Sequence, residues 1–158
     1  MTPAIVLAKK KKVPHTLHEY KHDPNAGAYG AEAADKLGLD PAQVFKTLVV
    51  SGDNGKLAVG LVPVLERLSL KALAKALGMR KVSMADPAEA ERATGYVTGG
   101  ISPIGQKKNL PTVIDDSAGQ FATIFVSAGR RGLEIELAAT DLQTLTRAQF
   151  AAICRPDS

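Results

Sequence analysis

The chain has 158 residues, of which 45% are hydrophobic and 23% are charged, a balance typical of a folded domain and not of a disordered segment. This length predicts one domain, residues 1–158, with enough chain to bury a core. The longest apolar run, Leu57–Leu65, contains a proline and has nine residues, whereas a membrane-spanning helix needs about 20. A membrane protein is therefore not expected.

Cysteine content and the N-terminal residues bear on the cellular compartment. The single cysteine, Cys154, excludes an intramolecular disulfide and multi-cysteine zinc patterns. The apolar stretch Ala4–Ala8 is too short for a secretory signal and precedes its lysines. We therefore expect a cytoplasmic protein.

Positive charge is concentrated in clusters. The formal net charge is +4, and Lys9–Lys12 alone carries that much; two basic pairs follow, Lys107-Lys108 and Arg130-Arg131. Such clusters are typical of proteins that bind an anionic partner such as nucleic acid. A lysine run at a helix end is also favoured by the helix dipole without any partner. Charge alone leaves both interpretations open.

Helices are predicted where a capping residue opens an apolar periodicity or a glycine closes one. They comprise a short helix capped by Thr2 and closed by the lysines, Ala31–Leu37, a turn capped by Asp40-Pro41, Ser69–Leu77, Asp86–Ala93, and one or two closing helices from Thr140 onward. The polar stretch His22–Gly30 predicts an exposed loop.

Strands are predicted in apolar or β-branched runs bounded by turn residues. They are Thr16–Tyr20, Thr47–Val50, Leu57–Val62, Thr112–Ile114, Thr123–Ser127 and Leu133–Leu137. Asn54-Gly55 between two such runs is a strong hairpin signal. Because several strands are adjacent in sequence and no regular βαβ alternation holds, we predict an α+β fold with a mostly antiparallel, curved or barrel-like sheet.

One segment, Thr94–Lys108, has the composition of a shaped loop and is called the glycine loop below. Its four glycines and one proline are incompatible with a helix or a central strand. Paired glycines allow a backbone to approach a ligand closely and to direct its N–H groups at an oxygen atom. We interpret this loop as part of a binding site.

Side-chain nucleophiles and metal ligands have little support. Cys154 is four residues from the end of the chain, and no GxSxG motif is present. On a strand His18 and His22 would share one face and His15 would lie on the other, so three converging ligands are not formed. We expect no metal and no cofactor, and we interpret His22 as a hydrogen-bonding group of its loop. Lys46 opens the first strand of the predicted hairpin, between Phe45 and Thr47. Its side chain could extend into a cleft or lie in solvent.

Several motifs occur in the order found in the YbaK-type aminoacyl-tRNA deacylases. They are Tyr20–Asp23, Val44–Leu48, the glycine loop and Thr123–Ser127, and Gly99–Pro103 followed by Gly105–Lys108 is highly specific. The chain resembles this family nearly from end to end. The resemblance implies the YbaK and prolyl-tRNA-synthetase-associated editing-domain fold, a curved sheet or barrel surrounded by helices.

The resemblance also implies which residues matter. Lys46 and Gly99 match the central lysine and the glycine wall of the catalytic site. Substrate binding is implied for Tyr20, Tyr29, Thr47, Gly100, Ile101, Ser102, Pro103 and Glu134. For tRNA binding, the resemblance shifts weight to Lys107, Lys108, Arg130 and Arg131. Glu134 stands where the nearest members of the family would carry Asp.

The implied activity is trans-editing: deacylation of mischarged Cys-tRNA(Pro), with Cys-tRNA(Cys) as a further substrate. Because the chain offers no nucleophile with a base, the cysteinyl thiol itself would attack the adjacent carbonyl. Backbone N–H groups of Gly99 to Ser102 would stabilise the oxyanion, and Lys46 would position the substrate. The alternatives are a noncatalytic tRNA-binding module associated with prolyl-tRNA synthetase, and a deacylase for another small aminoacyl-tRNA such as Ala-tRNA(Pro).

Overall fold

The computed structural model describes residues 1–26 and 29–155, and in helix α2 the side chains of Tyr29 and Gly30 are outside the description. Tyr29, implied above to bind substrate, therefore has no described side-chain position. The helices are α1 (Pro3–Lys10), α2 (Tyr29–Lys36), α3 (Leu70–Leu77), α4 (Pro87–Thr94) and α5 (Ala139–Thr146), with 3₁₀ turns at Pro41–Gln43 and Asp116–Gln120.

Ten strands form three sheets within these ranges. The strands are β1 (Thr16–Glu19), β2 (Phe45–Gly52), β3 (Leu57–Pro63), β4 (Arg67–Leu68), β5 (Val82–Met84), β6 (Thr112–Asp115), β7 (Ile124–Arg130), β8 (Leu133–Leu137), β9 (Gln149–Ala151) and β10 (Cys154–Arg155). The sheet orders are β5-β2-β3-β6-β9, β1-β8-β7 and β10-β4. Pairing is antiparallel except for β3–β6 and β6–β9. The predicted α+β fold with mostly antiparallel pairing is confirmed, and the described strands stay open instead of closing into a barrel.

Local chemistry produces the helix ends where the sequence predicts them. Thr2 and Ser69 accept hydrogen bonds from the N–H groups of Ile5 (3.3 Å) and Ala72 (3.1 Å). Asp86 accepts one from the N–H of Glu89 (3.4 Å). Each bond satisfies a donor that the first turn of a helix leaves unpaired. The boundaries of α1, α3 and α4 follow from these caps.

Two apolar clusters lie on opposite sides of β2. Phe45 and Val49 belong to the larger cluster, whereas Leu48 and Val50 face the smaller one beneath α3. This is the period-two alternation of a strand with both faces buried. A parallel bridge between Val44 and Phe125 connects the start of β2 to β7. β2 therefore positions residues toward both halves of the molecule.

The C-terminal segment contains one predicted closing helix and two strands that were not predicted. Only α5 forms where one or two closing helices were expected, and β9 and β10 follow it. Ile153, between those strands, is fully buried in the smaller cluster, and its N–H donates to Asp115 (2.9 Å). Burial and a tertiary hydrogen bond override the helical pattern here.

None of the described helices combines the length and apolar character needed to cross a membrane.

Gly105 holds the glycine loop against α1. Its φ is +69°, and a Cβ atom there would lie 2.8 Å from the carbonyl carbon and oxygen of Pro3. We expect Gly105→Ala to lower the free energy of unfolding by about 1–3 kcal/mol, because backbone strain and a backbone clash combine. Chemical denaturation measures this.

Gly119→Ala is the matched control. Apart from its neighbours along the chain, no heavy atom of the described residues lies within 4 Å of a Cβ at Gly119, and its φ is not in the left-handed region. Alanine there should change stability by less than about 1 kcal/mol. Equal losses in the two variants would contradict the assigned role of Gly105.

Candidate active site

A cavity of about 410 Å³ opens beside β2. Its walls come from β2, the end of β5 with the start of α4, the glycine loop, and the β7–β8 hairpin. Of the residues implied above, it brings together Lys46, Thr47, Gly99, Ile101, Tyr20, Glu134, Arg130 and Arg131. Residues far apart in sequence therefore converge on one space.

The β2 wall presents an unpaired strand edge. β5 pairs only with Val50–Gly52, and the last bond on that side runs from the N–H of Ala85 to the carbonyl of Val49 (3.0 Å). Because main-chain groups of alternate residues point to the same edge, the N–H and C=O of Thr47 point there as well. The Thr47 hydroxyl is buried and has no hydrogen-bond partner among the described residues. Thr47 thus offers unused polar groups at the cavity.

The side chain of Lys46 lies on the opposite face of β2 from that of Thr47. Its ammonium makes no ion pair with any residue in the described ranges, and burial lowers the pKa of Lys46. Cys154 and Glu66 partly oppose that effect, whereas the positive charge of Arg67 adds to it. These neighbours place the lysine between the cavity and the β4–β10 pair. A half-buried ammonium without a carboxylate partner can donate hydrogen bonds to an anionic or carbonyl oxygen of a ligand.

Glu134 and Tyr20 line the side opposite β2. Glu134 is 6% exposed, and desolvation raises its pKa to about 8, so the carboxyl group is mostly protonated at neutral pH. Burial also raises the pKa of Tyr20, with a smaller contribution from the charge of Glu134. The N–H of Tyr20 donates to the carbonyl of Gly132 (2.9 Å), which joins the strand after β1 to the hairpin turn. This wall is therefore electrically neutral and able to donate hydrogen bonds near pH 7.

The glycine loop divides into a lining part and a supporting part. Gly99, with φ at +91°, and Ile101 line the cavity, whereas Gly100, Ser102 and Pro103 lie behind it. A Cβ at Gly100 would lie 2.8 Å from the Cα of Arg130, so only glycine permits this packing against the hairpin. The Ser102 hydroxyl accepts a hydrogen bond from the N–H of Ile104 (3.2 Å).

The N–H groups of Gly99 to Ser102 were expected to stabilise the oxyanion, and the structure excludes one of them. The N–H of Gly100 donates to the carbonyl of Val97 (2.8 Å), which closes a turn inside the loop. The N–H of Gly99 has no acceptor among the residues that the structure describes. At this wall the N–H of Gly99 is therefore available to a ligand, whereas that of Gly100 is not.

Buried and ionic hydrogen bonds fix the loop conformation. The hydroxyl of Tyr96 donates to the carbonyl of Ile104 (2.6 Å), and burial raises the pKa of Tyr96 to about 12. The N–H of Thr98 donates to the carboxylate of Glu91 on α4 (2.7 Å). The loop is thereby tied to its own base and to the helix before it.

The cavity mouth is braced by a chain of polar contacts. Glu32 on α2 contacts His22 Nδ1 (2.6 Å) and accepts from the N–H of Asp23 (2.7 Å). Although desolvation opposes it, these bonds lower the pKa of Glu32 to about 2. The guanidinium of Arg131 lies 3.4 Å from His22 Nε2 and 3.4 Å from the carbonyl of Thr98. The prediction that His22 is a hydrogen-bonding group is confirmed.

The three histidines have separate surroundings. His15 contacts the carbonyl of Val13 (2.7 Å), and His18 contacts Glu136 (2.8 Å) and meets the ring of Phe125 in a T-shaped arrangement. Within residues 1–26 and 29–155, no group of three histidine, cysteine or acidic residues is arranged to hold a metal ion.

The two predicted basic pairs separate in space. Arg130 and Arg131 are exposed at the mouth of the cavity, and Arg130 lies 3.6 Å from Glu19. Lys107 and Lys108 line a different concavity beyond α4. Sequence reasoning also missed the wall formed by Met84, Ala85, Pro87 and Ala90, and the β7 residue Ser127. Of these residues, only Ser127 lies in a motif that the sequence analysis had singled out, Thr123–Ser127.

Comparison with known proteins identifies relatives of this chain. The aminoacyl-tRNA editing domain model matches residues 23–145. A protein of Enterococcus faecalis, EbsC, named as a candidate Cys-tRNA(Pro)/Cys-tRNA(Cys) deacylase, is 42% identical over 96% of this chain and 92% of its own length. A proline–tRNA ligase of Trichlorobacter lovleyi is 33% identical over 62% of this chain, which corresponds to only 17% of the ligase.

A solved structure shares the fold over its whole length. A protein described as a candidate trans-editing enzyme for prolyl-tRNA synthetase superposes with a TM-score of 0.80 at 25% identity, covering 99% of both chains. With the domain model matching most of the chain and EbsC similar nearly end to end, this chain belongs to the aminoacyl-tRNA editing domain family.

Proposed function

We propose that this chain hydrolyses the ester bond of mischarged Cys-tRNA(Pro), and that Cys-tRNA(Cys) is a further substrate. The observation that carries the proposal is the convergence of Lys46, Thr47, Gly99 and Glu134 on one cavity. The similarity to EbsC over nearly the whole chain supports the substrate class.

The reaction uses the substrate's own nucleophile. The cysteinyl sulfur attacks its carbonyl carbon, a carbon–sulfur bond forms, and the carbon–oxygen bond to the terminal ribose breaks. The ribose oxygen takes the electron pair and the proton that the thiol released, and water then opens the thiolactone to free cysteine. Holding sulfur and carbonyl in attack geometry can lower the barrier by about 7–11 kcal/mol at best, because the attack is intramolecular.

Each cavity wall has a separate task in this scheme. The open edge of β2 at Thr47 binds the main-chain groups of the aminoacyl moiety, and its hydroxyl gains the partner that it lacks in the protein. The N–H of Gly99 stabilises the developing oxyanion. Lys46 binds an oxygen of the ester or of the terminal phosphate and acts as a positioning residue and not as a base.

The neutral state of Glu134 suits a thiol substrate. An ionised carboxylate at this buried position would repel the thiolate that forms during attack. A protonated carboxyl group instead donates a hydrogen bond to the substrate. We infer that Tyr20 and Glu134 together form the wall of the pocket for the substrate side chain, and that Arg131 stabilises the mouth of this pocket.

The likeness to part of proline–tRNA ligases favours a second proposal, that the chain acts with prolyl-tRNA synthetase. A noncatalytic tRNA-binding module and a deacylase of Ala-tRNA(Pro) are the competing functions. Purified protein assayed on Cys-tRNA(Pro), Ala-tRNA(Pro) and Cys-tRNA(Cys) separates them. If none of the three aminoacyl-tRNAs is hydrolysed faster than in buffer, the proposal that the chain is a deacylase is rejected.

Replacing Lys46 tests its positioning role. We expect Lys46→Met, which keeps most of the apolar stem, to lower kcat/KM by about 100-fold, because one charged contact to the reacting ester is lost. Since burial lowers the pKa of Lys46, removing its charge should leave the thermal transition unchanged or raised. Lys71→Met, at an exposed position of α3, is the matched control. Retained turnover in Lys46→Met would remove Lys46 from the site.

Blocking the thiol tests the nucleophile. S-methylcysteinyl-tRNA(Pro) and seryl-tRNA(Pro) should survive incubation with the enzyme, with rates at least about 100-fold below that of the cysteinyl ester, because neither supplies a thiolate. Single-turnover assays measure these rates directly. Rapid hydrolysis of the S-methyl substrate would show that water or a protein group attacks instead.

Stability as a function of pH tests the state of Glu134. Its pKa is raised on folding, so its contribution to stability is fully present below about pH 4.5 and is lost as the pH rises through about 8. Within that window the free energy of unfolding should fall by about 1.4 kcal/mol per pH unit from this group. In Glu134→Gln this decline should be absent.

Glu136→Gln is the control for the same strand. Hydrogen bonds from Thr123 and His18 lower the pKa of Glu136, so its titration has the opposite sign. The Glu136→Gln variant should therefore retain the decline between pH 5 and 8. A Glu134→Gln variant with the wild-type pH profile would show that Glu134 is ionised throughout.

A further inference from the structure

A second concavity, of about 700 Å³, lies on the other side of α4 from the candidate active site. Four exposed cations line it: Lys56, Arg92, Lys107 and Lys108. We call this concavity the basic groove. Its lining also includes apolar residues, and Glu89 is the one acidic residue among the described residues that line it. The cavity reaction described above makes no use of these cations.

Three separate segments bring the cations together. Lys56 follows the β2–β3 turn, and Arg92 is on α4. The N–H groups of Lys107 and Lys108 donate to the carbonyls of Thr94 (2.9 Å) and Ala93 (3.0 Å), which fixes the end of the glycine loop against the end of α4. The positions of these lysines are therefore set by backbone hydrogen bonds and are not those of a freely moving tail.

The charges of the groove are not neutralised by the protein. Among the described residues no carboxylate forms an ion pair with Lys56, Arg92, Lys107 or Lys108, whereas Arg130 lies beside Glu19 at the cavity mouth. Four clustered, unpaired cations create a positive potential that attracts an anion with several charges. A polymer of phosphates supplies such charges at regular intervals.

Helix α4 is the shared wall between the two concavities. Ala90 lines the candidate active site, and Ala93, one turn along, lines the basic groove. A helix with its side chains is only about 10–12 Å across. A chain of a few nucleotides whose end occupies the cavity can therefore cross α4 and lay its backbone along the groove.

We propose that the basic groove binds the sugar–phosphate backbone of the tRNA whose aminoacylated end occupies the cavity. The inference rests on the proposed function for the identity of that RNA. Lysine and arginine contacts to phosphate position a nucleic acid without reading its sequence, so the groove contributes affinity and orientation. Selection of the amino acid remains with the cavity.

Direct binding of an unacylated tRNA(Pro) transcript tests the groove without requiring catalysis. Fluorescence anisotropy between 50 and 200 mM salt compares wild type with Lys56→Gln/Arg92→Gln and with Lys107→Gln/Lys108→Gln. Each double variant should bind roughly tenfold or more weakly, and the slope of log affinity against log salt should shrink by about 1 for each phosphate contact removed.

A matched control removes the same charge elsewhere. Lys9→Gln/Lys10→Gln neutralises two exposed lysines in the last turn of α1 and should change affinity less than about threefold. Adenosine, the terminal nucleoside alone, carries no phosphate and should bind wild type and groove variants equally. Unchanged circular dichroism and thermal transitions confirm that the variants fold.

Several outcomes would overturn the inference. They are a wild-type salt slope in both groove variants, an equal loss in the α1 control, or displacement of the tRNA by polyglutamate at equal charge concentration, which would assign the groove to an acidic protein. Failure of the proposed function gives a different result. The groove variants would still lose tRNA affinity, but wild type would not deacylate Cys-tRNA(Pro).

Discussion

The short pairing between β5 and β2 is the constraint on which the candidate site depends. β5 pairs with Val50–Gly52, and its last bond reaches the carbonyl of Val49, so among the described residues the main-chain groups of Thr47 have no strand partner on this edge. An unpaired edge is ordinarily a liability, because it offers hydrogen-bond donors and acceptors to any extended chain. Here this edge lies at the wall of a 410 Å³ cavity. The same edge can then serve as a template for the main-chain atoms of an aminoacyl ester.

Burial of ionisable groups beside that edge sets the chemistry. Desolvation acts in opposite directions on Lys46, whose pKa it lowers, and on Glu134, whose pKa it raises. Both effects disfavour charge, so the unliganded cavity is less polar than its residue types indicate. Such groups lower stability near neutral pH, a cost that a purely structural core would not retain. Their presence in one cavity is the pattern expected of a functional site.

The sequence predicted those parts of the fold that local chemistry determines. Thr2, Ser69 and Asp86 cap their helices through side-chain oxygens, and Asn54-Gly55 forms the turn of the β2–β3 hairpin. Each of these contacts joins residues that are only a few positions apart in the chain. β4, β5, β9 and β10 were not predicted, because strands of two or three residues depend on the neighbours with which they pair. The burial of Ile153 illustrates this dependence on tertiary contacts.

The same distinction explains the candidate site. Lys46, Thr47 and Gly99 could be named from motifs, whereas the wall at Met84–Ala90 depends on where β5 docks along β2. The N–H of Gly100 was expected to be available, because composition shows that a loop is shaped but does not show which N–H groups its internal turns use. Likewise, two basic pairs that look equivalent in sequence lie on different sides of α4 once the glycine loop folds back.

Helix α4 separates two physical tasks that a tRNA-editing site must combine. Affinity for a large polyanion is best obtained from solvated cations, since phosphate contacts release counterions and require no buried charge. Discrimination between small aminoacyl groups requires a dry, shaped cavity in which unpaired polar groups penalise the wrong substrate. Placing both in one pocket would bring phosphates and solvent to the reacting ester. A helix about 10–12 Å thick keeps them apart while leaving them within reach of one nucleic acid strand. In the proposed mode of binding, the hydrogen bond between Thr98 and Glu91 would connect the glycine wall to the helix, so that RNA bound on one side would be held in register with the ester on the other.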